Sequence, residues 1–208
     1  LNEAVLLADR HLRELQERVM SVRMVPVSSA FSRLPRMVRD LCKKLDKDVQ
    51  LELRGTETEL DKTLAEKLSD PLGHLVRNAL DHGIEPADVR VQAGKPAVGT
   101  VRLSAAHVGQ QVVVKLTDDG KGLDASAIRQ KAIERGLITS EQVLAPAELF
   151  KLIFLPGFST ARQVTDVAGG GVGMDVVKSQ IDALRGSVSI SSETGRGTTI
   201  SLALPLTL

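Results

Sequence analysis

The chain reads as an α+β protein: a two-layer α/β sandwich, one mixed sheet with helices on one face, preceded by a long N-terminal helix. Three observations carry that reading. Period-two apolar runs occur in hairpin pairs, helical periodicity is gathered between those pairs, and a heptad-like seam opens the chain.

The seam comes first. Leu1, Val5, Ala8, Leu12, Leu15, Val19 and Val22 alternate spacings of four and three, with Glu3, Arg10, Glu14 and Glu17 between them, as in a coiled coil or helical bundle. Such a stripe needs cover, from a partner chain or from the globular domain folding back on it. Beyond Pro26 the pattern resumes in a shifted register through Phe31, Leu34, Val38, Leu41 and Leu45, so a kink or restart is expected at Pro26 and at Pro35. This predicts a helical unit over residues 1–46 and a globular unit over 47–208.

In the second unit Val49, Leu51 and Leu53 alternate as a strand. Residues 63–69 are helical in pattern, and Asp70 followed by Pro71 reads as the N-cap and first turn of a new helix over 72–81, stopped by Gly83 and Pro86. Val101, Leu103 and Ala105, then Val112, Val114 and Leu116, form a hairpin turning near Gly109. Helices are expected over 126–135, 147–154 and 172–184, and closing strands over 187–192 and 198–204 with a turn at 193–197.

Composition narrows the function. A chain of 208 residues, 42% hydrophobic, buries one good core with a helical appendage. A net charge of +1 and the lack of Trp and Tyr argue against nucleic-acid binding by phosphate neutralisation and base stacking. The apolar runs are too short for a membrane span and no leader pattern opens the chain, so neither membrane insertion nor a signal peptide is expected. Cys42 is the single cysteine, which rules out an intrachain disulfide and a thiolate zinc site and fits a reducing, cytoplasmic setting. The start at Leu1 and the strand-like run over 202–208 read as a segment of something longer.

Four stretches carry chemistry. On the helix of residues 72–81, Leu72, Leu75, Val76 and Ala79 make a core stripe, while His74, Arg77, Asn78 and Asp81 repeat the spacing on the other side, with His82 following. Solvated faces usually carry Lys and Glu; this set offers ligands instead. An Asn carbonyl with a carboxylate suits a hard divalent ion that also holds substrate phosphates. Asp118, Asp119, Gly120, Lys121 and Gly122 follow a buried strand, where a carboxylate beside glycines can accept from the exocyclic amine of adenine. The same turn also serves as an ordinary loop end. Gly169, Gly170, Gly171 and Gly173 feed a helix N-terminus, which favours phosphate oxygens and equally suits a hinge. No Walker A motif is present, because no Lys-Ser or Lys-Thr directly follows the glycines and the Gly-Lys candidate at Lys95 is followed by Pro96; nor does a βαβ unit surround the glycines. The stretch from Phe154 through Ser159 and Thr160 towards Gly169 reads as a lid over a nucleotide or as plain connection.

In this order, HLVRNALDHGIE from His74, DDGKGLD from Asp118, IFLPGFST from Ile153 and GGGVGMDVV from Gly169 resemble the N, G1, F and G2 boxes of the CheA chemotaxis-type histidine kinases. Residues 23–41 look like the end of that family's dimerisation helix. The resemblance implies the Bergerat ATP-binding sandwich, shared with type II topoisomerases, MutL-type repair proteins and a class of heat-shock chaperones. It implies ATP and Mg2+ as cofactors, with Asn78 on the metal, Asp118 on the adenine amine, and Gly120 and Gly122 shaping the adenine pocket. His74 would help activate or orient the attacking imidazole. Arg77, His82 and Lys131 would lie near the phosphates, Asp81 among the nucleotide contacts, Ser159 and Thr160 in the lid, and Gly169, Gly171, Gly173 and Met174 at its hinge and phosphate side. Gly170 departs from the family, which often has Arg there.

The implied function is transfer of the γ-phosphate of MgATP to a histidine on a separate phosphoacceptor domain in a two-component pathway. The implied partners are that domain, a response regulator downstream, a coupling protein and receptor array, and a second copy forming a homodimer through the N-terminal helix. His11 is not read as the acceptor, because Leu12 follows it where an acidic residue is expected. A clamp-type ATPase of the same fold and a non-catalytic nucleotide-binding adaptor are the alternatives. The helix ahead of the boxes argues against the first, and intact Asn78 and Asp118 against the second.

Overall fold

Alternation of apolar and polar residues on three long strands builds the sheet that everything else packs against. The computed structural model describes Val5, Arg10, His11, residues 23–158 and residues 173–207. Strands β2 (Val49–Arg54), β4 (Gly99–Val108), β5 (Gln111–Asp118), β6 (Ser187–Glu193) and β7 (Gly197–Pro205) form one sheet in the order β2-β4-β5-β7-β6. β2 pairs with β4 in parallel and the other pairs are antiparallel, so the sheet is mixed as expected. The register sets Leu103 opposite Leu116 and Val114 opposite Leu202, and those side chains, with Val101, Val112 and Leu204, are buried on one face. Arg102, Ser104, Lys115, Thr117 and Ser201 carry polar groups to the other, accessible face.

The helical layer comes chiefly from α3 (Lys62–Asn78) and α7 (Met174–Ala183). A parallel strand pair needs a long crossover, and α3 lies within the one between β2 and β4. The break expected at Asp70 and Pro71 does not occur, since α3 runs through with Pro71 inside it. Its N-cap is Asp61, whose carboxylate accepts from the Thr63 N–H at 2.7 Å. Leu64, Leu68, Leu72 and Leu75 are all buried along one stripe. Each buried leucine contributes roughly 1.5–3 kcal/mol, which together outweigh the ~3 kcal/mol cost of an interior proline.

Pro26 also behaves differently from expectation. The chain is extended there, in β1 (Met24–Pro26), which pairs antiparallel with β3 (Glu59–Asp61), and Pro26 lies opposite Glu59. Helix resumes as α1 (Ser28–Phe31) and α2 (Leu34–Leu45), with Pro35 in the first turn of α2, where its missing N–H has no partner to lose. Val27, Ala30, Phe31, Leu34 and Val38 are buried in the main core, so this stretch of the apolar pattern is covered by the globular domain. Upstream, Val5, Arg10 and His11 are helical and exposed.

A short helix α4 (Ala87–Gln92) follows a π-helical turn, Ala79–Gly83, at the end of α3. Helices α5 (Ala125–Glu134) and α6 (Pro146–Lys151), with the 3-10 turn Leu152–Phe154, enclose a second apolar cluster of Ile128, Ala132, Ile138, Leu149, Phe150 and Phe158. Among the described residues no helix is long and apolar enough to cross a membrane.

Candidate functional site

The core stripe of α3 is buried as its spacing demands, with Leu72, Leu75, Val76 and Ala79 at 5% exposure or less, and this turns the opposite residues outward. His74, Asn78 and Asp81 are half-buried, and Arg77 and His82 are exposed. The Nδ1 atom of His74 is shielded from solvent and has no hydrogen-bond partner. Burial depresses the pKa of this imidazole, and the neighbouring Arg77 charge depresses it further against the opposing pull of Asp70, so the ring is neutral at pH 7. Asn78 donates its Nδ2 to the sulfur of Met174 at 3.2 Å. The His82 ring stands 3.5 Å from the Asp81 carboxylate.

The helix ends in a widened turn held from outside. The ammonium of Lys47 donates to the carbonyls of Leu80 at 2.7 Å, Asp81 at 3.0 Å and Ile84 at 2.8 Å. A cation at a helix C-terminus satisfies carbonyls that lack intrahelical partners and complements the dipole. Burial lowers the Lys47 pKa despite the nearby Asp81. Sequence reasoning missed Lys47, because a lysine after Asp46 at a helix end carries no local sign of its distant partners.

Asp118, the last residue of β5, is 5% exposed. Desolvation pushes its carboxyl up to about 6, with the Asp119 and Glu85 charges adding to the rise and backbone N–H groups of Gly120 and Thr198 opposing it. The Gly120 N–H donates to Asp118 Oδ1 at 3.0 Å. Gly83, at the end of the π-turn, meets this turn directly: its carbonyl accepts from the Lys121 N–H at 3.0 Å. A methyl group on Gly83 would stand 3.3 Å from Asp118 Oδ1, and one on Gly120 would stand 2.2 Å from the Gly83 carbonyl oxygen. Gly122 has φ of +71°, and an added methyl there would collide with the Glu193 carbonyl at 2.4 Å. Asp118 also borders an open cleft of about 360 Å³ whose wall includes Ser192, Gly197 and Thr198 and no residue of α3.

The segments from Ile153 and from Gly173 meet each other, and the second also meets the end of α3. Gly173 caps α7 and Met174 is its first residue, in contact with Asn78. The Gly157 N–H donates to Asp175 Oδ2 at 3.3 Å, and the Arg135 guanidinium donates to the Gly157 carbonyl and lies 5.7 Å over the Phe158 ring. Lys131 sits half-buried on α5, which Asp124 caps through the Ser126 and Ala127 N–H groups. Ser159, Thr160, Gly169, Gly170 and Gly171 lie outside the described residues.

The donor set decides what metal fits. Among the described residues no group of three or more His, Cys, Asp or Glu could hold a metal ion. A protein-caged metal is therefore a poor match here. The Asn78 side-chain oxygen suits Mg2+ that keeps most of its shell as water and substrate phosphate.

Residues 66–208 match the family described as histidine kinase-, DNA gyrase B-, and HSP90-like ATPase. The chain is 55% identical over 199 residues to the chemotaxis protein CheA of Salmonella typhimurium, covering 96% of this chain and 30% of that protein. It is 48% identical over 210 residues to the chemotaxis protein CheA of Bacillus subtilis, covering 100% of this chain and 31% of that one. The chain thus spans less than a third of the length of these relatives. Its fold resembles the catalytic domain of the histidine kinase ThkA, with TM-score 0.55 at 15% identity over 88% of this chain and 95% of that one.

Proposed function

The chain belongs to the histidine kinase-, DNA gyrase B-, and HSP90-like ATPases, and from that membership and its CheA relatives we propose that it binds MgATP and presents the γ-phosphate to a histidine on a separate phosphoacceptor domain. One observation carries the reading. The π-helical turn at the end of α3 is bonded to the turn after β5 through Gly83 and Lys121, and the last residue of α3 is bonded to the start of α7 through Asn78 and Met174. These bonds join three stretches that are far apart in sequence, which supports reading Asp118, Asn78 and the N-terminus of α7 as parts of one site.

In this reading Asp118 accepts from the adenine amine. With its carboxyl near 6 it is charged at pH 7.5. Asn78 would hold Mg2+, which when bound would supply charge neutralisation at the phosphates. Arg77, Asp81, His82 and Lys131 line the nucleotide, and Gly173 with Met174 offers N–H groups of α7 to phosphate oxygens. Transfer breaks the bond between the γ-phosphorus and the ADP oxygen and forms a phosphorus–nitrogen bond on the acceptor imidazole, which loses its N–H proton. Neutral His74 orients that imidazole and takes the proton. The chain contributes mainly position and electrostatics, as phosphoryl transfer requires.

The apolar seam over residues 1–22 pairs with a second copy, and the acceptor histidine is supplied by the partner subunit of a longer cytoplasmic protein. A response regulator receives the phosphoryl group, and a coupling protein and receptor array govern the cycle. The test is to mix the chain, γ-labelled ATP and a cognate acceptor domain. Acid-labile label on the acceptor is the expected result; ATP hydrolysis without transfer points to a clamp ATPase, and nucleotide binding with neither points to an adaptor.

A further inference from the structure

We propose that Lys95, braced by Glu85 and Arg90, is a positioning residue for base recognition that sets the shape of the turn carrying Asp118. The proposal rests on the reading of Asp118 as the acceptor of the purine amine.

Lys95 stands in a Gly-Lys-Pro sequence that fails as a phosphate loop. Its ammonium is engaged with backbone instead, donating to the Asp119 carbonyl at 3.0 Å and the Gly120 carbonyl at 2.7 Å. A third bond, to Glu85 Oε1 at 2.7 Å, anchors it. Arg90 is fully buried and backs the same turn. It donates to Glu85 Oε2 at 3.2 Å, to the Asp119 carbonyl at 3.2 Å and to Asp119 Oδ2 at 2.9 Å. The Glu85 carboxylate therefore bridges two cations that grip consecutive peptide groups.

Peptide planarity turns that grip into control of Asp118. The Asp119 carbonyl and the Gly120 N–H belong to one rigid trans peptide, so they point in opposite directions. Holding the carbonyl on Lys95 aims the N–H at Asp118 Oδ1, which it reaches at 3.0 Å. The next peptide repeats the arrangement. Its Gly120 carbonyl lies on Lys95 and its Lys121 N–H lies on the Gly83 carbonyl at 3.0 Å. One ammonium thus orients two peptide planes, whose far ends fix the carboxylate and join the turn to the end of α3.

A purely structural role explains this cluster less well. Well-packed apolar side chains would hold α4 against the turn at least as firmly as buried ions do. They could not fix the direction of two carbonyls.

The experiment measures ATP and GTP affinity, with and without Mg2+, for the whole chain and its Lys95→Met and Lys95→Arg variants, alongside thermal unfolding. Lys95→Met is expected to weaken ATP by roughly tenfold and to lower the ATP-to-GTP preference, with Lys95→Arg recovering most of both. Glu85→Gln is the second variant if Lys95→Met does not fold, and is expected to shift the preference the same way by less. A folded Lys95→Met chain with wild-type preference and only a lower Tm overturns the proposal, as does an unchanged preference in Glu85→Gln when Lys95→Met fails to fold. A wild-type chain that does not distinguish ATP from GTP overturns the assignment of Asp118, and this proposal with it.

Discussion

Asn78 donates its side-chain N–H to the sulfur of Met174 at 3.2 Å, which ties the last residue of α3 to the first residue of α7. That bond uses the nitrogen of the amide, so the oxygen is the atom left to serve a cation. Removing the amide by Asn78→Ala loses both functions while the core stripe of α3 stays intact. Phosphotransfer is expected to fall by on the order of 10²-fold or more, because misplacement of a reacting group costs about that much, while nucleotide affinity falls less. Single-turnover transfer compared with equilibrium titration separates the two. Equal losses in both would remove Asn78 from the reaction centre.

Asp118 destabilises the fold at neutral pH. Its carboxyl lies near 6, against 3.8 for an ordinary aspartate, because burial disfavours the charge. The folded state therefore binds more protons than the unfolded state between those values, and the contribution of Asp118 to stability declines as pH rises from about 4 to about 6. Asp118→Asn keeps the shape without the charge, and the nucleotide-free variant is expected to be about 2–3 kcal/mol more stable than wild type at pH 7.5. The gap closes towards pH 4. ATP affinity is expected to move the other way, since the proposed charge-assisted bond to the base is lost. Thermal melts across that range, with and without nucleotide, read both effects; a stability gap independent of pH would contradict the burial of this carboxylate.

The contrast between strands and turns shows what sequence could reveal. β4, β5, β6 and β7 were legible because Val101, Leu103 and Ala105, like Val112, Val114 and Leu116, alternate along a half-buried surface. β1 and β3 were not, because three residues carry no period and Pro26 argues locally against a strand. Asp70 and Pro71 suggested a helix start from local chemistry, and tertiary burial of the leucines on both sides overrode it. The outward face of α3 followed from spacing alone, whereas the bond of Asn78 to Met174 joins residues 96 positions apart. Lys47, Glu85, Arg90 and Lys95 stayed hidden for that reason. Their partners are backbone carbonyls or groups on other elements, and no local pattern marks a lysine that will meet a carbonyl.

His74 responds to pH in the opposite sense to Asp118. Burial and the Arg77 charge hold its pKa below the ordinary histidine value. The folded state binds fewer protons at this ring than the unfolded state, so its contribution to stability rises with pH up to about 6.5 and is lost as pH falls through the depressed folded pKa. Transfer to an acceptor is expected to decline on the same acid limb, as the ring gains the proton it must otherwise accept. His74→Gln keeps a neutral hydrogen-bonding group and is expected to lower the rate and remove this limb. Rate profiles from pH 5 to pH 8 provide the check; an acid limb that survives in His74→Gln assigns it to another group.

Two glycines make opposite demands on their surroundings. At Gly120 an added methyl would lie 2.2 Å from the Gly83 carbonyl oxygen and 2.8 Å from Asp118 Oδ1, and the Gly83 backbone has to move to admit it. That movement breaks the Lys121–Gly83 hydrogen bond and turns the carboxylate, so Gly120→Ala is expected to cost about 1–3 kcal/mol, the range for overpacked sites, and to weaken ATP. At Gly73, inside α3, the nearest neighbour of an added methyl is the Met37 sulfur at 3.8 Å, an ordinary contact. Gly73→Ala relieves the entropic penalty of glycine in a helix and is expected to stabilise by about 0.5–1 kcal/mol. Denaturant unfolding should rank Gly73→Ala above wild type and wild type above Gly120→Ala, with ATP affinity reduced only in Gly120→Ala. A Gly120→Ala chain with wild-type stability and affinity would mean that the turn after β5 does not touch the end of α3, and the convergence on which the site depends would be lost.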